Sequence, residues 1–327
     1  MGATPETPLR IGLIGLGRHG SRYARHLLAD VPEARLVAVS RRHMEQGSGL
    51  PPSASVTCHP EYRALIADPS VDAVVVVTPP ILNREICLAA IDARKPVLVE
   101  KPLATTAEDA QMIARAANES GVPMMTAQTL RFDSAIRALL DRRGEIGSLR
   151  YLTLTSRMEP SGEQLRGFGG RGCLLEIGIH VLDLIRVLTG DEVRDVSCEM
   201  DVVPPAGCEQ RIMGRLVTRR GIPCLLDVSR VSSGRIGRAE LIGADGQLTA
   251  DWCGHQLSRV SGRDGYGMWP TPPDATVVAT LRAFARALQT GTPPPITVED
   301  GRRAVEIAEA CYASARQGGR PVSVDYS

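Results

Sequence analysis

A chain of 327 residues is long enough for one large core or, more naturally, two, and 43% hydrophobic with 23% charged residues are the proportions of an ordinary globular protein. A formal net charge of +1 argues against a dedicated nucleic-acid or membrane-surface binder. No apolar run approaches the roughly 20 residues that span a bilayer, and the polar, proline-containing Met1–Pro8 is neither a signal peptide nor a presequence.

From Arg10 to about Ala127, short apolar strands alternate with amphipathic helices. Strands are expected at Leu9–Ile14, Leu36–Ser40, Ala73–Thr78, Val97–Glu100 and Met124–Ala127, with helices at Ser21–Leu28, Glu61–Ile66, Arg84–Ala93 and Ala107–Ser120. Such alternation predicts an α/β doubly wound parallel sheet with right-handed crossovers. Gly121 and Pro123 are the stop signals of its last helix.

The texture then changes. Helices are expected at Ser134–Arg143 and Leu174–Thr189, and longer alternating segments between Leu149 and Val260 are separated by turns such as Arg220-Gly221 and Asp245-Gly246. This reads as a C-terminal α+β domain with a large, mainly antiparallel open sheet. Gly265–Ala275 and Thr292–Pro295 read as loops, and helices at Thr276–Gln289 and Glu299–Gln317 close the chain. The expected division is residues 1–127 for a dinucleotide-binding domain and 128–327 for a substrate-binding and oligomerisation domain, with the C-terminal helix able to pack back on the first.

The eight cysteines are scattered and none forms a Cys-x-x-Cys pair, which fits small buried thiols in a reducing cytoplasm better than a disulfide or zinc framework. No metal site is expected.

Gly15-Leu16-Gly17-Arg18-His19-Gly20 follows the first strand and opens a helix. In that context Gly15 makes the tight turn, Gly17 lets the backbone approach a pyrophosphate, and Gly20 lets helix and strand pack closely. The helix N-terminus offers N–H groups to the phosphates. The second strand, which in NAD-binding folds ends in a carboxylate for the ribose, here ends Ser40-Arg41-Arg42. Guanidiniums suit a 2′-phosphate, so NADP(H) is favoured, with NAD(H) the alternative.

Two further stretches carry chemistry. Val97-Leu98-Val99-Glu100-Lys101-Pro102 is a buried strand ending in a lysine at the sheet edge where ligands of parallel sheets bind. Lys101 is suited to hydrogen-bond a substrate oxygen and stabilise the charge that develops there; the plainer reading is a surface ion pair with Glu100. In Glu176-Ile177-Gly178-Ile179-His180-Val181-Leu182-Asp183, helical spacing puts Glu176, His180 and Asp183 in one column of an otherwise apolar helix. Buried ionisable groups are costly unless paired or facing a polar cavity, and three in one column point to a site. His180 is the natural acid–base group, with Glu176 one turn away to orient it. The reading requires the Lys101 ammonium and the His180 imidazole to reach one nicotinamide ring.

These stretches, with Thr78-Pro79-Pro80, Arg131-Phe132-Asp133, Gly144-Glu145-Ile146-Gly147 and Gly319-Arg320-Pro321-Val322, resemble the Gfo/Idh/MocA family over nearly the whole chain. The resemblance implies a Rossmann domain followed by a domain whose open sheet often mediates dimers or tetramers. It also implies oxidation or reduction of sugars and polyols with NAD(P). By carry-over Lys101 and His180 are catalytic, Glu176 takes the usual aspartate position, and Asp183 helps hold substrate. Thr78, Pro79, Glu100 and Arg131 line the cofactor, as does Asn83, standing where many members have histidine. Arg171, in a glycine-rich stretch that often has only small residues, faces either an anionic substrate or solvent. The expected function is NADP(H)-dependent interconversion of a secondary alcohol and a ketone on a sugar-like substrate, with keto-sugar reduction favoured. A family enzyme acting on a non-sugar substrate, or a cofactor-binding regulatory protein without turnover, is the alternative.

Overall fold

The computed structural model describes residues 7–41, 50, 55–160, 167–202, 207–262 and 265–326. It divides into two compact units, residues 1–128 with 275–302 and residues 129–274 with 303–327.

In the first unit β1 (Leu9–Ile14), α1 (Arg18–Ala29), β2 (Ala34–Ser40), β3 (Thr57–His59), α2 (Tyr62–Ala67), β4 (Ala73–Val76), α3 (Asn83–Asp92), β5 (Val97–Glu100), α4 (Ala107–Ser120) and β6 (Met124–Ala127) follow one another. The strands form one sheet in the order β3-β2-β1-β4-β5-β6, and every pair is parallel. This is the doubly wound dinucleotide-binding order. β4, β5 and β6 are buried at every residue, as expected of strands covered on both faces. Thr106 caps α4 by accepting from Asp109 N, and Gly121 ends it at φ 70°. β3 was not anticipated; three residues are too short for a periodic signal.

The second unit begins with α5 (Ser134–Arg142) and β7 (Leu149–Arg157). A π-helical turn at Leu174–Gly178 runs into α6 (Ile179–Thr189). Then come β8 (Val193–Val202), β9 (Glu209–Thr218), β10 (Pro223–Ser229), β11 (Ile236–Gly243), β12 (Gln247–Asp251), β13 (Gln256–Ser261) and β14 (Gly265–Pro270). With the late β15 (Val322–Ser323) they make a nine-stranded sheet, β14-β13-β12-β11-β7-β10-β9-β8-β15. It is antiparallel except where β10 runs parallel to β7. Leu152, Leu154, Leu226, Val228, Ala239 and Leu241 fill its covered face.

The expected loop at Gly265–Ala275 instead opens with β14. Glycines at 265 and 267 and Pro270 mask the alternation, and such residues are tolerated because β14 is an edge strand bonded only to β13. α7 (Thr276–Thr290) belongs to the first unit, where it packs on α1 and β2 and Arg286 bonds Glu33 at 2.7 Å. α8 (Val298–Arg316) crosses the division of the chain. No helix among the described residues is long and apolar enough to cross a membrane.

Candidate active site

At the C-terminal edge of the parallel sheet, each glycine of the loop answers a different demand. Gly15 has φ 96°, and a Cβ there would stand 2.3 Å from the Val77 carbonyl oxygen. A Cβ on Gly20 would stand 2.0 Å from the Gly15 carbonyl oxygen. These two are required by the fold itself. Gly17 is not: a Cβ on it would meet nothing within 4 Å. Gly17 is also the N-cap of α1, with no side-chain cap bond, so the helix start faces open space. The residues present therefore fit a dinucleotide pyrophosphate, with the Gly17 backbone and the first turn of α1 to hold it.

Leu16 and Gly20 are buried, whereas Arg18 and His19 are exposed. The Ser40 carbonyl accepts from Gly15 N at 3.0 Å, which sets the end of β2 beside the loop. Arg41 follows, half-buried, its N–H donating to His59 O. Arg42 lies outside the described residues.

Glu100, at the end of β5, is the charged centre of this edge. It is buried, and its Oε2 accepts from the Lys101 backbone N at 3.0 Å. Its Oε1 accepts from His19 Nε2 at 2.8 Å and from Tyr23 OH at 2.5 Å. Burial alone would raise the carboxyl, but the bond and charge of His19, the charge of Lys101 and the Tyr23 hydroxyl hold it down at about 2. The Tyr23 phenol is pushed well up by its own burial and then by the Glu100 charge, so it remains a donor.

Asn83 grips the same turn from the other side. Fully buried, its Nδ2 donates to the carbonyls of Pro102 at 3.0 Å and of Glu100 and Leu103 at 3.4 Å. Its Oδ1 accepts from Thr78 Oγ1 at 3.2 Å. These bonds brace the turn at Lys101, where the Lys101–Pro102 peptide is cis. Pro79 next to Thr78 is exposed.

In the second unit, the segment expected to carry Glu176, His180 and Asp183 as one α-helix opens instead with a π-helical turn at Leu174–Gly178. Glu176 sits in this wider turn, and His180 and Asp183 in the α-helix that follows. Glu176 forms a buried ion pair with Arg230, whose Nη1 also donates to Glu159 O at 3.2 Å. Asp183, 1% exposed, is forked by Arg131, Nε at 2.6 Å and Nη2 at 2.5 Å, with Arg186 at 3.8 Å. Two residues expected at ligands, Arg131 and Asp183, are each other's partners. His180 is half-buried. Arg171 bonds Glu309 at 2.7 Å and lies over the Tyr312 ring at 4.6 Å.

Arg230 and Tyr23 escaped the reading of the sequence. Tyr23 stands one helical turn after His19, a spacing that could have found it. Arg230 lies 54 positions from Glu176, and no local pattern links them.

Residues 9–128 match the model of an oxidoreductase family with an NAD-binding Rossmann fold, GFO_IDH_MocA, and residues 134–249 match that family's C-terminal domain. The chain belongs to this family. Among its Gfo/Idh/MocA relatives, a 1,5-anhydro-D-fructose reductase of Ensifer adhaerens is 32% identical over 78% of this chain and 80% of its own. A scyllo-inositol 2-dehydrogenase (NAD(+)) of Bacillus subtilis is 28% identical, covering 98% and 97%. Among solved structures, the aldose-aldose oxidoreductase of Caulobacter crescentus complexed with glycerol superposes with a TM-score of 0.84 at 26% identity, covering 97% of this chain and 100% of that one. The protein is accordingly an NAD(P)-dependent oxidoreductase.

Proposed function

We infer that this Gfo/Idh/MocA enzyme uses NADP(H) to interconvert a secondary alcohol and a ketone on a sugar-like molecule, with reduction of the ketone favoured. The observation that carries the reading is the grip on Lys101: Glu100 holds its N–H while Asn83 holds the carbonyls around it. So firm a setting for one ammonium at the ligand-binding edge of a parallel sheet suits a group that must meet a developing charge in fixed geometry.

The nicotinamide, when bound, supplies or accepts the hydride. Lys101 hydrogen-bonds the substrate oxygen and stabilises its charge, and His180 is the acid–base partner, with Glu176 beside it. Gly15 to Gly20, Ser40, Arg41 and Thr78 serve the cofactor. Support for NADP(H) is the guanidinium of Arg41 following Ser40, where a ribose-binding carboxylate would stand. Related names include both a reductase of a keto-sugar and an NAD(+) dehydrogenase of a cyclic polyol, which supports the substrate class and leaves the cofactor to this chain's own residues.

Assembly as a homodimer or homotetramer through the large sheet belongs to the same reading. Tyr151, Met213, Leu225, Val260, Tyr266 and Met268 are exposed on its strands. Mass in solution by light scattering tests it, a monomer counting against it. A cytoplasmic setting agrees with the eight free cysteines.

The deciding experiment is turnover of 1,5-anhydro-D-fructose and scyllo-inositol with each cofactor. Lys101→Met is expected to abolish turnover while NADPH still binds. Full activity in that variant, or a cofactor retained on purification that mass identifies as NADH, would overturn the corresponding half of the reading.

A further inference from the structure

The helical segment that carries Glu176 and His180 starts without a cap of its own, since Cys173 makes no side-chain cap bond. Its first N–H groups are instead taken by a carboxylate from β9, 35 to 37 positions further along the chain. Both oxygens of Glu209 accept from Gly172 N, at 2.8 and 2.9 Å, and Oε1 also accepts from Leu174 N at 3.3 Å. The Tyr312 hydroxyl completes the set, donating to Oε1 at 2.6 Å. Glu209 is 5% exposed.

We propose that Glu209, held by Tyr312, is a positioning residue of the reaction: it fixes the start of the helix from which Glu176 and His180 project. The path is short. Glu209 holds Gly172 N, and the Gly172 carbonyl accepts from Glu176 N at 3.2 Å. A shift at Glu209 is therefore passed to the Glu176 backbone through one residue. Gly172 is also packed against the Glu209 backbone, since a Cβ on it would stand 1.9 Å from the Glu209 carbonyl oxygen.

The chemistry of the anchor is also right. A carboxylate at a helix start meets unpaired N–H groups and the positive end of the dipole. Tyr312 remains a donor, because burial and then the Glu209 charge push its phenol upward. Arg171, stacked on the Tyr312 ring and bonded to Glu309, backs the anchor from behind.

This rests on the reading of His180 and Glu176 as participants, so the test separates the two. Tyr312→Phe and Glu209→Gln are compared with wild type by amide hydrogen exchange over residues 172–180, by NADPH affinity, and by kcat and KM on 1,5-anhydro-D-fructose. Exchange is expected to rise over 172–180 in both variants, and kcat to fall by up to about 100-fold, since a misplacement of 1 Å can cost that much, with NADPH affinity unchanged. Unaltered exchange overturns the anchor. Raised exchange with wild-type kcat and KM overturns positioning and leaves Glu209 structural. His180→Asn run alongside distinguishes the foundation: full turnover there removes the reading of the site, whereas loss there beside normal Tyr312→Phe and Glu209→Gln turnover overturns only this proposal. Should wild type turn over neither sugar, the exchange result still decides the anchor.

Discussion

The end of β5 and the start of the Leu174–Thr189 helix solve one problem with different materials. Each presents a residue suited to chemistry, and in each a buried carboxylate holds nearby backbone: Glu100 at Lys101 N, Glu209 at Gly172 N. At β5 the carboxylate is the neighbour of the residue it holds, and its other partners, His19 and Tyr23, come from the first turns of α1. In the second unit the carboxylate and the guanidinium arrive from β9 and from just past β10. The first arrangement is built from hydrogen bonds inside one motif. The second is built from borrowed charges, and it should break differently.

The largest effect is expected at Arg230. Replacing it with methionine strands the Glu176 carboxylate in a buried setting, at a cost of about 3–5 kcal/mol. Urea denaturation of Arg230→Met should show that loss, and adding Glu176→Gln should restore most of it. A double variant no more stable than the single one would show that the ion pair is not what the segment depends on.

Glu100 should fail by pH instead. Its folded carboxyl lies at about 2 against an ordinary 4.5. A depressed acid stabilises the fold fully above the unfolded value and loses that contribution as pH falls through the folded one. The loss therefore belongs to the window from about 4.5 to 2, and by linkage it is on the order of 3 kcal/mol. Thermal melts of wild type should drop steeply across that window. Glu100→Gln should melt lower at pH 7 and change less on acidification, and a parallel acid profile would refute the assignment.

The same contrast explains what could be read in advance. The parallel sheet, the glycine loop and the Glu-Lys-Pro turn were legible because each depends on neighbours in sequence: buried strands are continuous apolar runs, and Gly15 and Gly20 answer contacts with the adjoining strands. The placement of Lys101 directly after β5 was legible for the same reason. The roles of Arg230, Glu209 and Tyr312 were not, because their partners lie 54, 37 and 103 positions away, and no period links such distances. The π-helical turn escaped too: Glu176, His180 and Asp183 match α-helical spacing on paper, and only packing reveals a widened turn. The bonds of Asn83 to three carbonyls were not legible either, since an amide looks alike in sequence whether it faces a ligand or backbone.

A smaller effect follows from that amide. Asn83→Ala leaves the carbonyls of Glu100, Pro102 and Leu103 without its donor in a buried place, a loss of about 1–3 kcal/mol. If Asn83 is the brace, kcat should fall with stability while NADPH affinity holds. A selective loss of NADPH affinity would return it to the cofactor.

The smallest effect on stability is expected within the glycine loop, and it separates what the fold needs from what the ligand needs. Gly15→Ala forces a side chain into φ 96° and against the Val77 carbonyl, so the folded state must move. Gly17 has φ −74°, which any residue adopts, and open space where the methyl would go. Gly17→Ala should therefore melt within about 0.5 kcal/mol of wild type, as surface substitutions do. Its cost should appear only when the pyrophosphate is added, as weaker NADPH binding, because the methyl occupies the ground the backbone must offer to the phosphates. A Gly17→Ala protein that binds NADPH as tightly as wild type would mean that the phosphates do not approach the loop there, and that Gly17 owes its place to neither fold nor cofactor.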